Sequence, residues 1–154
     1  MLKIPSQRQM RENLKYYREI EDSSPSGLAD FAGSYVSKYP VTFTLGYFTL
    51  SSDKNLAQLG LMGAFLLHSL ESANGKLREA DTAFFSDFLI TGELKLEMDD
   101  EQRETLTPLL LLVVNIVEVL GVSPADDNMI CFLTAMLSSI AYAHNHVPEV
   151  LTTL

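Results

Sequence analysis

Three histidines, one cysteine and a run of carboxylates are the residues of this chain that could do chemistry. His144 and His146 stand two apart, which on a helix turns them about 200° away from each other, so they can share a metal only where the helix has already ended. His68 lies among Phe65, Leu66 and Leu67 and is expected as a core or interface histidine. Cys131 has no second cysteine to pair with, and it leaves a cysteine-based zinc site short of ligands. Within the apolar run Met129-Ile130-Cys131-Phe132-Leu133 it is expected to be a small buried hydrophobe. Glu93, Glu97, Asp99, Asp100, Glu101 and Glu104 have the hard oxygen atoms a divalent cation takes. Their spacing does not fit a calcium loop, which needs a central Gly and a terminal Glu, so they read as a solvated connector and helix start. No Gly-x-Ser-x-Gly elbow, glycine-rich phosphate loop or His-Glu-x-x-His helix occurs. No catalytic residue, cofactor or metal is therefore assigned, and the expectation is a protein that is not an enzyme.

These residues belong to a chain of 154 residues, 47% hydrophobic and 20% charged, enough for one domain over 1–154 with a real core. The net charge is −9, unevenly placed. Residues 1–18 carry Lys3, Arg8, Arg11, Lys15 and Arg18 against Glu12 alone, and after Arg103 there is no Lys or Arg at all. A body so acidic repels phosphate backbones, which argues against DNA or RNA as a direct ligand and favours a basic protein partner. The first residues, Met1-Leu2-Lys3-Ile4-Pro5, offer no apolar stretch of a secretory signal. The longest apolar tract, 106–120, contains Thr107, Pro108, Asn115 and Glu118 and is shorter than the ~20 residues of a spanning helix. With a single cysteine, this predicts a cytoplasmic protein that does not insert into membranes.

Periodicity supplies the elements. Residues 6–22 place Met10, Leu14, Tyr17 and Ile20 on one stripe after Pro5, and Leu28, Phe31, Ala32, Tyr35 and Val36 make a second helix that must stop before Pro40. Over 41–50, Val41, Phe43, Leu45 and Tyr47 alternate as in a strand, yet nothing else in the chain would pair with it. An extended or helical connector packed on the core is the expectation there. Asp53 can cap a central helix over 54–73 that ends at Asn74-Gly75, and Gly60 and Gly63 inside it suit close helix packing. Further helices are expected over 79–90, about 100–120 with Pro108 inside its pattern, and 124–143 after Ser123-Pro124.

Between two of these helices the stretch Ala73-Asn74-Gly75-Lys76-Leu77-Arg78-Glu79-Ala80-Asp81 resembles the helix-(Ala-Asp-Gly-Lys-Ile)-helix signature of the tellurite-resistance protein B-like family, over residues 66–89. The resemblance implies an all-helical acidic fold associated with stress responses and with metal held by such acids. Asn74 stands where that family carries Asp, and Asp81 matches its following acid conservatively.

The expected fold is all-α: a single-domain bundle of five or six helices, with the basic amphipathic helix 1–22 packing through Arg8, Arg11, Lys15 and Arg18 on the body or on a neighbouring chain. Apolar residues all round 109–114 exceed what a small bundle covers, which points to a homodimer or another partner. The function expected is an adaptor, chaperone-like factor or inhibitor that binds a protein, with Glu93, Glu97, Asp99, Asp100, Glu101 and Glu104 steering a basic partner. One alternative is an acidic inhibitor of a nucleic-acid-binding protein, of the phage anti-defence type; another is a metal-binding stress protein. An adaptor calls for an apolar groove, an inhibitor for negative charges spaced along one face, and a metal protein or enzyme for a deep pocket near His68 or the acids.

Overall fold

A Ser-x-x-Gln pattern starts the first helix. Ser6 Oγ accepts the Gln9 N–H at 3.2 Å while Gln9 Oε1 accepts the Ser6 N–H at 2.7 Å, a reciprocal cap that satisfies two otherwise orphaned donors. In this computed structural model the described residues are 3, 5–50, 56–79 and 127–145. They form five helices and no strand: α1 Gln7–Ser23, α2 Gly27–Lys38, α3 Pro40–Phe48, α4 Leu56–Asn74 and α5 Asp127–Asn145. The protein is all-α, as its periodicity predicts. Asp53, the stretches 80–126 with all six steering acids, Ser123-Pro124, and His146 onward lie outside the described residues.

The helix ends follow local chemistry. Tyr39 closes α2, donating its N–H to the Tyr35 carbonyl, and Pro40 then opens α3 at the position where a missing N–H is harmless. The 41–50 segment is thus helical. Its alternating apolar pattern was not a pleat, because the buried residues are Thr42, Phe43, Leu45 and Gly46, while Val41, Thr44 and Phe48 face outward. Helix α4 ends at Gly75, whose φ of +74° is the left-handed cap conformation that glycine adopts without strain.

Helix α4 is central, with ten buried residues from Leu59 to Leu70, and it touches α1, α2 and α5. Glycines admit its neighbours. A Cβ at Gly63 would lie 2.8 Å from Met136 Sδ and 2.9 Å from Phe43 Cε1, and one at Gly60 would lie 2.8 Å from the Tyr47 hydroxyl. Close packing at the Gly60-Gly63 pair, anticipated from sequence, is therefore what lets α3 and α5 reach α4. The opposite side of α4 carries Phe65, on which Tyr17 packs with ring centroids 4.4 Å apart.

Cys131 corrects an expectation. It is exposed, because the core stripe of α5 runs through Met129, Phe132, Leu133, Met136 and Ile140. At 100° per residue Cys131 falls about 160° from Leu133, so helical phase overrode the apolar run around it.

Candidate functional site

Helix α2 uses its apolar stripe in two ways. Phe31 is buried, and Tyr35 packs edge-on to His68, so that half of the stripe serves the core. The other half, Leu28, Ala32 and Val36, joins Ala29 and Gly33 along one wall of an open groove of about 390 Å³. Ala57, Gln58, Gly60 and Leu61 of α4 form the facing wall, and Tyr47 of α3 closes one end. Among the described residues, Gln58 and the Tyr47 hydroxyl are its polar side-chain groups and no charged residue lines it. The Tyr47 ring rests 5.0 Å from Phe132, its hydroxyl donates to the Leu56 carbonyl at 3.4 Å, and burial raises its phenol above the ordinary pKa. The groove's end wall is thereby fixed. Alanines and glycines on both walls keep its floor low, and at Gly33 no atom lies within 4 Å of where a Cβ would stand.

The groove can take apolar matter, and little else. Its described lining offers two polar groups to orient a ligand and is otherwise apolar, which suits recognition by shape and desolvation. A helix laid between α2 and α4 would bury small residues against its own side chains, the mode by which amphipathic helices bind apolar grooves.

His68 sits elsewhere, at the junction of α1, α2 and α4, and is not among the residues lining that groove. Its ring stacks on Tyr16 at 5.4 Å and meets Tyr17, Phe31 and Tyr35 edge-on between 5.2 and 6.0 Å. Tyr17 Oη and His68 Nδ1 lie 2.6 Å apart; a phenol is the stronger donor and an imidazole nitrogen the stronger acceptor, so the bond is read as O–H to Nδ1 with the imidazole proton on Nε2. Desolvation holds His68 below its ordinary pKa of 6.5, Glu71 opposing and Lys38 adding to that shift. Burial likewise raises the Tyr17 phenol far above its usual range. The expectation of a core or interface histidine fits this placement, in a space filled by rings.

Polar ties fasten the remaining elements. Lys38 Nζ pairs with Glu71 at 2.6 Å and lies 5.6 and 5.5 Å over the Tyr35 and Tyr39 rings. Glu79 accepts the Thr42 N–H at 2.8 Å and its hydroxyl at 3.1 Å, which puts a carboxylate at the N-terminus of α3, where the helix dipole favours it. His144 Nε2 accepts the Arg78 N–H at 3.1 Å.

The basic residues of α1 face solvent. Arg8 pairs with Glu12 on the helix surface at 3.3 Å, and Arg11, Lys15 and Arg18 are exposed. Asn74, at the resemblance motif, donates to the Lys3 and Leu70 carbonyls and accepts the Lys3 N–H, so its amide serves as a strap. Among the described residues no three His, Cys, Asp or Glu side chains gather to hold a metal, and no helix is long and apolar enough to cross a membrane. Sequence reasoning passed over Gly33 and the Tyr17-His68 pair. The Ala29, Ala32, Gly33 spacing on one flank of α2 was the available signal for the first, and the second joins residues 51 apart. No family model, characterised protein or solved structure matches this chain.

Proposed function

We propose that this protein is a non-enzymatic interaction protein of the cytoplasm, an adaptor, chaperone-like factor or inhibitor, that holds an apolar segment of a protein partner between α2 and α4. The observation that carries this reading is the open groove of about 390 Å³ with small residues on both walls and no charge along it among the described residues. An exposed apolar groove is what an adaptor requires, and contiguous apolar surface of this kind marks interaction sites. The acidic remainder of the chain adds a basic rim to what the partner should carry, through long-range attraction that speeds encounter. The exposed thiol of Cys131 suits a reducing compartment.

Gly33→Arg tests the reading, because nothing stands within 4 Å of the new Cβ while the long side chain fills the groove. Wild type and variant, matched for helical content and melting temperature, serve as paired baits in a lysate of the native cell. Loss of a discrete captured protein from the variant alone supports the reading. The same proteins on both baits would contradict it.

A further inference from the structure

Both histidines among the described residues tie two separate parts of the chain through a ring nitrogen, His144 as the acceptor of a backbone N–H and His68 in a short bond with Tyr17, read above as O–H to Nδ1. We propose that His68 and His144 form a paired acid-release device, in which protonation of the two imidazoles loosens α1 from α4 and the segment after α4 from α5. The junctions differ in how they fail.

At His144 the failure is complete. Nε2 accepts the Arg78 backbone N–H at 3.1 Å, and a proton on Nε2 sets two donors against each other. The positive charges that bear on this ring, Arg78 and the amino terminus, both oppose a further one, and desolvation adds to them in holding the imidazole below its ordinary pKa.

At His68 the bond must reverse. With Nδ1 protonated, the Tyr17 oxygen becomes the acceptor, and its hydroxyl proton has to turn to Ser69 Oγ or the Phe65 carbonyl, each at a long 3.4 Å. The groups facing the ring are Tyr16 and Tyr17 from α1, Phe31, Tyr35 and Lys38 from α2, and Ser69 and Glu71 from its own helix. Glu71 is the one anion there among the described residues, and Lys38 already holds it at 2.6 Å. The stacked Tyr16 face offers the cation partial compensation, against loss of a 2.6 Å bond and of hydration.

Helix α1 is placed to respond. It buries only Met10, Asn13 and Tyr17, and its other side-chain ties to α4 are Gln9 Nε2 to the Ser72 carbonyl and Asn13 Nδ2 to Ser72 Oγ. Local opening draws on such thinly buried elements. The sign is fixed by the ordinary value of 6.5: above it both ties are intact, and as pH falls through and below it the unfolded or undocked form binds more protons and gains population.

The test is hydrogen exchange of the full chain between pH 7.5 and 5.5, corrected for the intrinsic pH dependence of exchange. We expect protection of α1 amides and of Leu77 to Glu79 to fall roughly three- to tenfold, the loss that goes with one buried hydrogen bond. In the double variant His68→Asn with His144→Gln, whose side-chain oxygens take the places of Nδ1 and Nε2, that protection should hold steady. Unchanged protection in wild type over this range overturns the proposal, and so does an equal loss in the double variant. Should the variant fail to fold, histidine ring proton shifts of the wild type decide instead: titration of both rings below 6.5, in step with exchange of α1, is expected, and titration without any change in α1 refutes the device.

Discussion

Replacing a glycine by alanine at two positions should move stability in opposite directions. The reason lies in what surrounds each missing Cβ. Gly33 is mid-helix in α2 with nothing within 4 Å, so alanine removes about 1 kcal/mol of helix penalty and adds no contact. For a chain of this length that raises the melting temperature by about 2–4 °C. Gly46 in α3 is different: a Cβ there lies 2.8 and 2.9 Å from Phe132 Cε2 and Cδ2 and 3.1 Å from Met136 Cγ. Ordinary carbon contacts are about 3.5–4.0 Å. The Phe132 ring would have to retreat by roughly 0.6–1 Å, and both Phe132 and Met136 are 0% exposed, inside a core that packs densely. Overpacking of this kind costs about 1–3 kcal/mol. Because the helix gain at Gly46 is no larger than at Gly33, the two variants should differ by at least the overpacking cost, about 2–12 °C in melting temperature. Thermal and urea melts followed at 222 nm measure it. If Gly46→Ala is stabilised as much as Gly33→Ala, α3 does not press on α5 as described.

Three further substitutions probe the polar ties. Ser139→Ala should raise stability by about 1 kcal/mol, since Ser139 Oγ is buried without a hydrogen-bond partner among the described residues and alanine removes a desolvated hydroxyl; a loss seen in a urea melt would mean the hydroxyl is bonded. Glu79→Ala strips two donors of Thr42, which is 0% exposed, and should cost about 2 kcal/mol, whereas Glu79→Gln keeps an acceptor and should cost less; the ranking is read from chemical denaturation. Glu71→Gln breaks a pair whose lysine is 44% exposed, so the loss should stay below about 1 kcal/mol and shrink when melts are repeated in 0.5 M salt.

Local signals carried most of the described fold. The Pro40 break, the Asn74-Gly75 stop and the stripe on α1 are decided within a few residues, and each stands where sequence put it. Two readings turned on phase. Val41 to Tyr47 alternates like a strand, yet Pro40 sets a helix whose buried positions follow a turn of 3.6 residues. Cys131 lies in an apolar run and still points away from the core. The groove was harder, because it exists only in the relative placement of α2 and α4. Leu28, Ala32 and Val36 look like core positions in sequence, and they become groove wall because α4 turns Phe31 and Tyr35 toward Phe65 and His68 and leaves their flank uncovered. The Tyr17 hydroxyl that bonds the His68 ring is likewise 51 residues away, beyond any local pattern.

Photocrosslinking from inside the groove tests the central claim most directly. Gly33→p-benzoylphenylalanine carries a reactive ketone on a side chain whose Cβ has open space around it, and Lys15→p-benzoylphenylalanine carries one on the exposed face of α1. Illuminated in the native cell, the groove probe should yield one discrete adduct whose attachment point lies in an apolar segment of another protein, and the α1 probe should not yield it. The same adducts from both positions, or none from Gly33 in a correctly folded protein, would contradict a partner held between α2 and α4.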